Sequence, residues 1–130
     1  MKLYVDSNVY LDFLLDRKNK QHKDLSEHAY VLFKRASSCE FKIVLSDHVL
    51  RELDKHINLS ETTSFFKLLE KKIIRVEIKK SDIVKAKSLK THYEDALHVV
   101  LAKKVEADVI VTRNKVDFRN LFKTYFPEEL

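Results

Sequence analysis

Four acidic residues lie where α/β proteins commonly place reactive groups: Asp6, Glu52, Asp95 and Asp117. Asp6 and Asp117 follow short apolar runs, Asp95 opens an apolar helical pattern, and Glu52 lies on a helix that follows another apolar run. Carboxylates packed within a few Å repel one another, so a cluster of them calls for cations, and hard oxygen ligands select Mg²⁺ or Mn²⁺. Such ions activate water and offset charge during in-line displacement at a phosphodiester. The pattern therefore predicts phosphodiester hydrolysis.

The same four residues also have a structural interpretation. Asp and Glu are common at helix starts and loop ends, where they cap helices or remain solvated. Other acids in similar settings are interpreted as structural or surface residues: Asp12, Asp16, Asp47, Asp54 and Asp108. Spacing alone leaves both interpretations open.

Strand-like and helix-like segments alternate along the chain, which is typical of a parallel sheet with helices on both faces. The carboxyl ends of parallel strands meet at one edge of a sheet, and this edge is where α/β proteins place ligands. Strands are predicted at 2–5, 41–45, 73–78 and 109–111. Helices are predicted at 9–15, 25–37, 47–57, 60–72, 81–90, 93–107 and 117–125, with a polar connection at 19–24. The expected N-caps are Ser7 or Asn8 for the first helix, Ser46 for the third and Ser60 for the fourth.

Composition limits the alternatives. The 130 residues are 45% hydrophobic, which predicts a single domain over 1–130 with an apolar core. A net charge of +5 suits a polyanionic partner but constrains it poorly. Cys39 is the single cysteine, so no intramolecular disulfide forms, and we expect it to be mostly buried in a reducing cytosol. No apolar run approaches the ~20 residues of a membrane span, which predicts a cytoplasmic protein without membrane association.

Glycine is absent from the sequence. Phosphate-cradling loops and dinucleotide fingerprints need glycine for close backbone approach, so nucleotide binding of those kinds is excluded. Turns with positive φ are then expected at Asn, Asp or Lys, with four asparagines as candidates: Asn19, Asn58, Asn114 and Asn120.

Four pieces of sequence occur in order: 3–8 (LYVDSN), Leu45-Ser46 with Glu52 six residues later, 94–98 (EDALH), and 111–114 (VTRN) followed by Asp117-Phe118. Together they resemble the PIN domain family, particularly the small stand-alone ribonucleases known as VapC-type toxins. The resemblance spans nearly the whole chain. It implies a three-layer α/β/α sandwich around a mostly parallel sheet. It also implies that Asp6, Glu52 and Asp95 bind Mg²⁺ or Mn²⁺ and cleave RNA, with Asp117 as the fourth acid.

Asn114 departs from the family pattern, because many members carry an acid two residues after the threonine that corresponds to Thr112. Asp117 is expected to take over this role. Thr112 and Ser7 are expected to orient the acids through hydrogen bonds, and Asn8 to do the same or to cap the first helix.

Basic residues follow the last predicted strand, namely Arg113, Lys115 and Arg119. They either hold RNA phosphates or form a solvated loop. The six histidines show no i,i+4 pair and have no cysteine partner, which argues against a zinc site. His92, just before Asp95, either touches substrate or lies on the surface.

The family resemblance implies products with 5′-phosphate and 3′-hydroxyl ends. It also implies a homodimer that is inhibited by a small antitoxin protein inserted into the acidic groove. A rival prediction is a catalytically weakened PIN-like module that binds RNA or protein, and Asn114 motivates it. An aspartyl-phosphate enzyme using Asp6 is disfavoured, because the second acid two residues on is missing.

Overall fold

Five parallel strands form the centre of the fold, in the spatial order β3-β2-β1-β4-β5. β1 lies in the middle, and its Tyr4 pairs with Val44 of β2 on one side and Ile110 of β4 on the other. These central strands are almost wholly apolar and buried, as expected for a parallel sheet covered on both faces. The computed structural model describes residues 1–16, 25–118 and 120–130. Its strands are β1 (Lys2–Val5), β2 (Lys42–Ser46), β3 (Ile73–Val76), β4 (Val109–Val111) and β5 (Thr124–Tyr125).

Helices cover both faces of the sheet. They are α1 (Ser7–Leu14), α2 (Leu25–Ser37), α3 (Asp47–Asp54), α4 (Leu59–Leu68), α5 (Lys80–Ser88), α6 (Tyr93–Lys104) and α7 (Lys115–Phe118). α1 packs against α2 and α3, whereas α5 packs against α6. The chain returns from β3 to β4 across the sheet, so a right-handed crossover places α5 and α6 on the face opposite α1. The predicted α/β/α sandwich is confirmed, and its sheet is entirely parallel. In the described part of the chain, no helix has the length and apolar character needed to cross a bilayer.

Aromatic side chains join α1, α2 and α4 on one face of the sheet. Tyr10 is fully buried and stacks on Phe33 with ring centroids 5.2 Å apart, and it contacts Phe66 edge-on at the same distance. The Tyr10 hydroxyl has no hydrogen-bond partner among the described residues. This ring therefore contributes through apolar packing, and its hydroxyl is desolvated without compensation.

The C-terminal segment differs from the prediction of a helix at 117–125. α7 is a single turn, and the chain then extends so that Thr124 and Tyr125 pair with Ile110 and Val111. A two-residue strand is too short for hydrophobic periodicity to reveal. Arg119 and the predicted connection at 19–24 lie outside the described residues.

Several local predictions about caps and turns were also wrong. Asp6 caps α1 in place of Ser7 or Asn8, and Asn58 caps α4 in place of Ser60. The cap at Ser46 is confirmed, since its Oγ accepts a hydrogen bond from Val49 N at 3.1 Å. Cys39 is exposed, not buried. Positive φ occurs at Asp16, Cys39 and Glu106, and not at the expected asparagines in the described segments.

Candidate functional site

Asp6 lies at the carboxyl end of the central strand. β1 and β4 pair Val5 with Val111, so the next residues, Asp6 and Thr112, come side by side. Thr112 Oγ1 donates to Asp6 Oδ2 at 2.8 Å, and Ser7 N donates to Asp6 Oδ1 at 2.7 Å. Asp6 is only 6% exposed, so its carboxylate is fixed by two donors in a site largely shielded from water.

Glu52 reaches Asp6 because β2 passes directly into α3 beside β1. The two carboxylates meet at the imidazole of His98. His98 Nε2 lies 2.9 Å from Glu52 Oε1 and 3.5 Å from Asp6 Oδ1. Ser7 Oγ also donates to Glu52 Oε1 at 3.2 Å. Asp6 and Glu52 therefore share one pocket and the same polar partners.

His98 is held from its other ring nitrogen. The Tyr4 hydroxyl lies 2.7 Å from His98 Nδ1 and 2.7 Å from Ser46 Oγ, and all three residues are buried. When His98 carries two protons, Nδ1 donates to Tyr4, whose hydroxyl donates to Ser46. This chain of hydrogen bonds fixes the ring so that Nε2 faces the carboxylates.

Electrostatics favours a charged His98. Burial by itself lowers the pKa of His98, but the hydrogen bond to Glu52 and the charges of Asp6, Glu52 and Asp95 outweigh it and hold the pKa above its usual value. Burial raises the pKa of Glu52, and the hydrogen bond and charge of His98 more than offset this, so that pKa lies below its usual value. The expectation that only a divalent ion can hold these acids together needs correction, because His98 supplies a positive charge from within the protein.

Asp95 and Asp117 belong to the same electrostatic neighbourhood. Asp95 lies in the first turn of α6 and Asp117 in α7. Burial raises the pKa of Asp95, the charge of Asp117 raises it further, and Asp6 adds a smaller effect, while His92 and His98 act in the opposite direction. Asp117 and Asp6 oppose the ionisation of Asp95, so a bound cation would stabilise its charged form.

Asn8 and Thr112 connect the start of α1 to the end of β4. Asn8 Nδ2 donates to Thr112 Oγ1 at 3.3 Å, and Asn8 Oδ1 accepts from Arg113 N at 3.3 Å. Thr112 Oγ1 also accepts from the backbone N–H of Asn114 at 3.0 Å. Asn8 therefore links the start of α1 to the turn after β4 and does not cap α1. Any part that these residues or Ser7 take in substrate handling stays a prediction.

Arg113 is engaged in ion pairs. Its Nε lies 3.2 Å from Asp12 Oδ2, and its Nη1 lies 2.7 Å from Glu128 Oε1. Lys115 Nζ lies 2.8 Å from Glu129 Oε1. Both cations thus fasten the C-terminal segment to the site, and binding an RNA phosphate would have to compete with these carboxylates.

The donor set fits a hard divalent cation. Asp6, Glu52, Asp95 and Asp117 offer only carboxylate oxygens, which Mg²⁺ and Mn²⁺ prefer. The lowered pKa of Glu52 favours the ionised carboxylate, and the pKa of Asp95 is raised first by burial and then by the charge of Asp117, which a cation would offset. Of these four, the structure brings Asp6 and Glu52 together at His98, and the assignment of all four to one cation stays a prediction.

His48 was missed as a member of this region. Its ring lies 4.3 Å from that of His98, centroid to centroid, and its Nε2 lies 3.1 Å from Glu94 Oε2. Burial and the charge of His98 lower the pKa of His48, so its ring is neutral where that of His98 is charged. The sequence contains a usable signal, because His48 and Glu52, like Glu94 and His98, are spaced i,i+4 and so share a helix face. A pattern of two histidines at i,i+4, which is absent from the sequence, does not reveal these mixed pairs.

Comparison with known proteins places this geometry in a family. The sequence matches the family described as the PIN domain over residues 2–116, whereas no curated protein matches it. A toxin-antitoxin complex from Klebsiella pneumoniae has a TM-score of 0.68 at 14% identity, over 98% of this chain and 98% of that one. VapBC2 from Rickettsia felis, bound to a DNA fragment from its promoter, has a TM-score of 0.61 at 16% identity, over 97% of this chain and 98% of that one. FitAcB from Neisseria gonorrhoeae has a TM-score of 0.63 at 16% identity, over the whole of both chains.

Identities this low show a shared fold and nothing finer. The sequence match is the stronger finding, because it covers most of the chain and includes Asp6, Glu52 and Asp95. The all-parallel sheet and the acids at its carboxyl edge agree with it. The chain belongs to the PIN domain family.

Proposed function

We propose that this protein is a Mg²⁺- or Mn²⁺-dependent endoribonuclease. The observation that carries the proposal is the meeting of Asp6 and Glu52 at His98, at the carboxyl edge of the sheet of a PIN domain. Asp95 and Asp117 complete the proposed metal-binding set, and their mutual repulsion supports this assignment.

The cation and the two central carboxylates would have different roles in hydrolysis. A bound divalent cation would supply positive charge to the phosphodiester oxygens and make an attacking water more acidic. The Asp6 carboxylate is fixed in position by hydrogen bonds from Thr112 Oγ1 and the Ser7 N–H, with its oxygens available as metal ligands. Glu52 is kept ionised by His98, so it can bind a cation or accept a proton. Hydrolysis joins the water oxygen to phosphorus and breaks the bond from phosphorus to the 3′ oxygen, which leaves with a proton.

Conservative amide variants test the carboxylates. Asp6→Asn and Asp95→Asn keep side-chain shape but remove ligand charge, so we expect cleavage of RNA in Mn²⁺ to fall by about 100-fold or more. Asp54→Asn, an exposed acid on the same helix as Glu52, is the matched control and should cleave at the unaltered rate. Equal cleavage by Asp6→Asn, Asp95→Asn and the control would refute the proposal.

A catalytically weakened RNA- or protein-binding module is the second candidate. One observation favours it, since His98 already occupies the position between Asp6 and Glu52 that a cation would take. Asn114, exposed at the entrance to α7, is the other reason. Calorimetric titration with Mn²⁺ separates the two candidates: binding supports the nuclease, and no binding at millimolar metal supports the module.

We also propose that the protein forms a homodimer in the cytoplasm and is inhibited by a small antitoxin protein. The structural relatives from complexes with antitoxins support the partner. Apolar surface is available for it, because Leu59 of α4 is 71% exposed and lines a cavity of about 570 Å³ together with Leu45, Leu50 and Phe66. None of the four acids lines that cavity.

Two charge substitutions test this surface. The test uses the product of a short reading frame immediately upstream, if one is present, co-expressed with the chain. Leu59→Asp should lose binding of that product, whereas Val84→Asp, 68% exposed on the opposite face of the sheet, should retain it. Equal binding by both variants would exclude the α4 surface.

A further inference from the structure

Two helices from opposite faces of the sheet converge with metal-binding side chains at matching intervals. α3 carries His48 and Glu52 one turn apart, and α6 carries Glu94 and His98 one turn apart. Residues spaced i,i+4 lie on one face of a helix, so the two pairs face each other. One ligand atom from each of His48, Glu52 and His98 lies within 4.8 Å of the other two.

Hydrogen bonds already fix the two histidine rings, and a cation bound at His98 Nε2 would displace the proton that this nitrogen carries in the charged ring. Tyr4 holds His98 through Nδ1, which directs Nε2 to Glu52 at 2.9 Å. Glu94 faces His48 Nε2 through both its carboxylate and its backbone carbonyl, at 3.1 and 3.2 Å. When Nε2 of His48 carries the proton, the lone pair lies on Nδ1. Metal-binding histidines are commonly fixed in this way, with the second nitrogen bound to an oxygen group.

We propose that His48, Glu52 and His98 form a second metal site, selective for a borderline cation such as Zn²⁺. Two imidazoles and one carboxylate are a common ligand set for zinc, and they leave one position for water or another group. Ligand atoms at a tetrahedral zinc ion lie roughly 3.4 Å apart, so no pair of these atoms has to approach by more than about 1.4 Å. Glu52 is half-buried, and its long side chain lets the carboxylate adjust to a cation held by the two rings.

Selectivity follows from the ligand types. Imidazole nitrogen suits zinc, cobalt and nickel, whereas Mg²⁺ and Mn²⁺ favour the oxygen ligands of the four carboxylates. Burial of His48 and His98, which are 5% and 2% exposed, makes this a preorganised site and not a chance surface pair. This second site would thus bind a different cation from the one assigned to Asp6, Asp95 and Asp117.

Glu52 belongs to both sets, and this has a consequence that rests on the proposed nuclease function. A cation held by the two histidines would draw the Glu52 carboxylate away from the catalytic acids. Zn²⁺ at this site would then inhibit cleavage driven by Mn²⁺. Metal binding itself is independent of RNA, so it is measured without substrate.

Co²⁺ is the probe, because four-coordinate Co²⁺ with nitrogen ligands absorbs visible light far more strongly than six-coordinate Co²⁺ bound by oxygen. We expect a strong band for the unaltered protein, and a loss of this band with at least tenfold weaker Co²⁺ binding for His48→Gln. His56→Gln, an exposed histidine just beyond α3, is the matched control and should bind within about twofold of the unaltered protein. Asp117→Asn should keep the Co²⁺ band while Mn²⁺ binding weakens.

Nuclear magnetic resonance of the unaltered protein guards against misfolding of the variant. Substoichiometric Zn²⁺ should perturb the ring resonances of His48 and His98 and leave those of His56 in place. A Co²⁺ band that survives in a folded His48→Gln, or ring shifts at His56 alone, would overturn the proposal. A failure of RNA cleavage would leave these readings unaffected and would count only against the nuclease.

Discussion

Replacing Tyr4 by Phe removes one buried hydroxyl from the group of residues that orients His98. The hydroxyl joins His98 Nδ1 and Ser46 Oγ, each at 2.7 Å. Ser46 keeps a donor in Val49 N, but the described structure offers His98 Nδ1 no replacement. Losing these bonds and leaving a buried nitrogen unsatisfied costs about 2–3 kcal/mol of unfolding free energy. For a chain of this length the midpoint of thermal unfolding should fall by roughly 8–12 °C.

The measurement is paired thermal and urea unfolding of the unaltered protein, Tyr4→Phe and Tyr10→Phe. Tyr10 is the matched control, since it is also fully buried but its hydroxyl has no hydrogen-bond partner among the described residues. Removing that hydroxyl should be neutral or stabilising by up to about 1 kcal/mol. If both variants change stability by the same amount, the hydrogen bonds assigned to Tyr4 do not hold His98 in place.

Four further outcomes are expected. Saturating Mn²⁺, at about a hundred times its dissociation constant, should stabilise the protein by about 2.7 kcal/mol in thermal unfolding, and Asp95→Asn should lose most of this gain. Folding raises the pKa of His98, so the stability that its charge contributes is complete below about pH 6.5 and is lost as the pH rises through the pKa of the folded state. Urea unfolding across this range should therefore show a steeper loss of unfolding free energy for the unaltered protein than for His98→Gln. Arg113→Ala removes the guanidinium from the buried carboxylate of Asp12 and should cost about 1.5–3 kcal/mol, the range for a hydrogen bond to a charged group, against less than about 1 kcal/mol for the more exposed pair removed in Lys115→Ala. Sedimentation equilibrium should give twice the chain mass of 15.4 kDa, and a mass equal to one chain would refute the dimer.

The central strands were predictable because burial on both faces demands unbroken apolar residues. β1 and β4 match the predicted bounds for this reason. β5 was missed, since Thr124 and Tyr125 form a strand only through pairing with β4, and nothing local in two residues specifies that pairing. Asp6 was predicted at a strand end, but its role as N-cap of α1 depends on the turn made after Val5.

The site was predictable only in part. Strand ends and helix starts indicated where acids could converge, and the structure does bring Asp6 and Glu52 together. The contact of His98 with both acids could not be predicted, because it joins residues 92 and 46 positions apart through packing on opposite faces of the sheet. An apolar helix carrying one histidine gives no indication of which strand its ring will meet. The catalytic and metal-binding roles of the four acids stay predictions.

The position of β4 late in the chain has a consequence for biosynthesis. Asp6 acquires its Thr112 partner only after Val109–Val111 has paired with β1, more than a hundred residues later. Loop closure over this distance is slow and depends on the intervening elements being in place. A chain still attached to the ribosome therefore cannot build the acidic pocket until β4 and Thr112 have been translated, so any activity of that pocket is delayed until that point of synthesis.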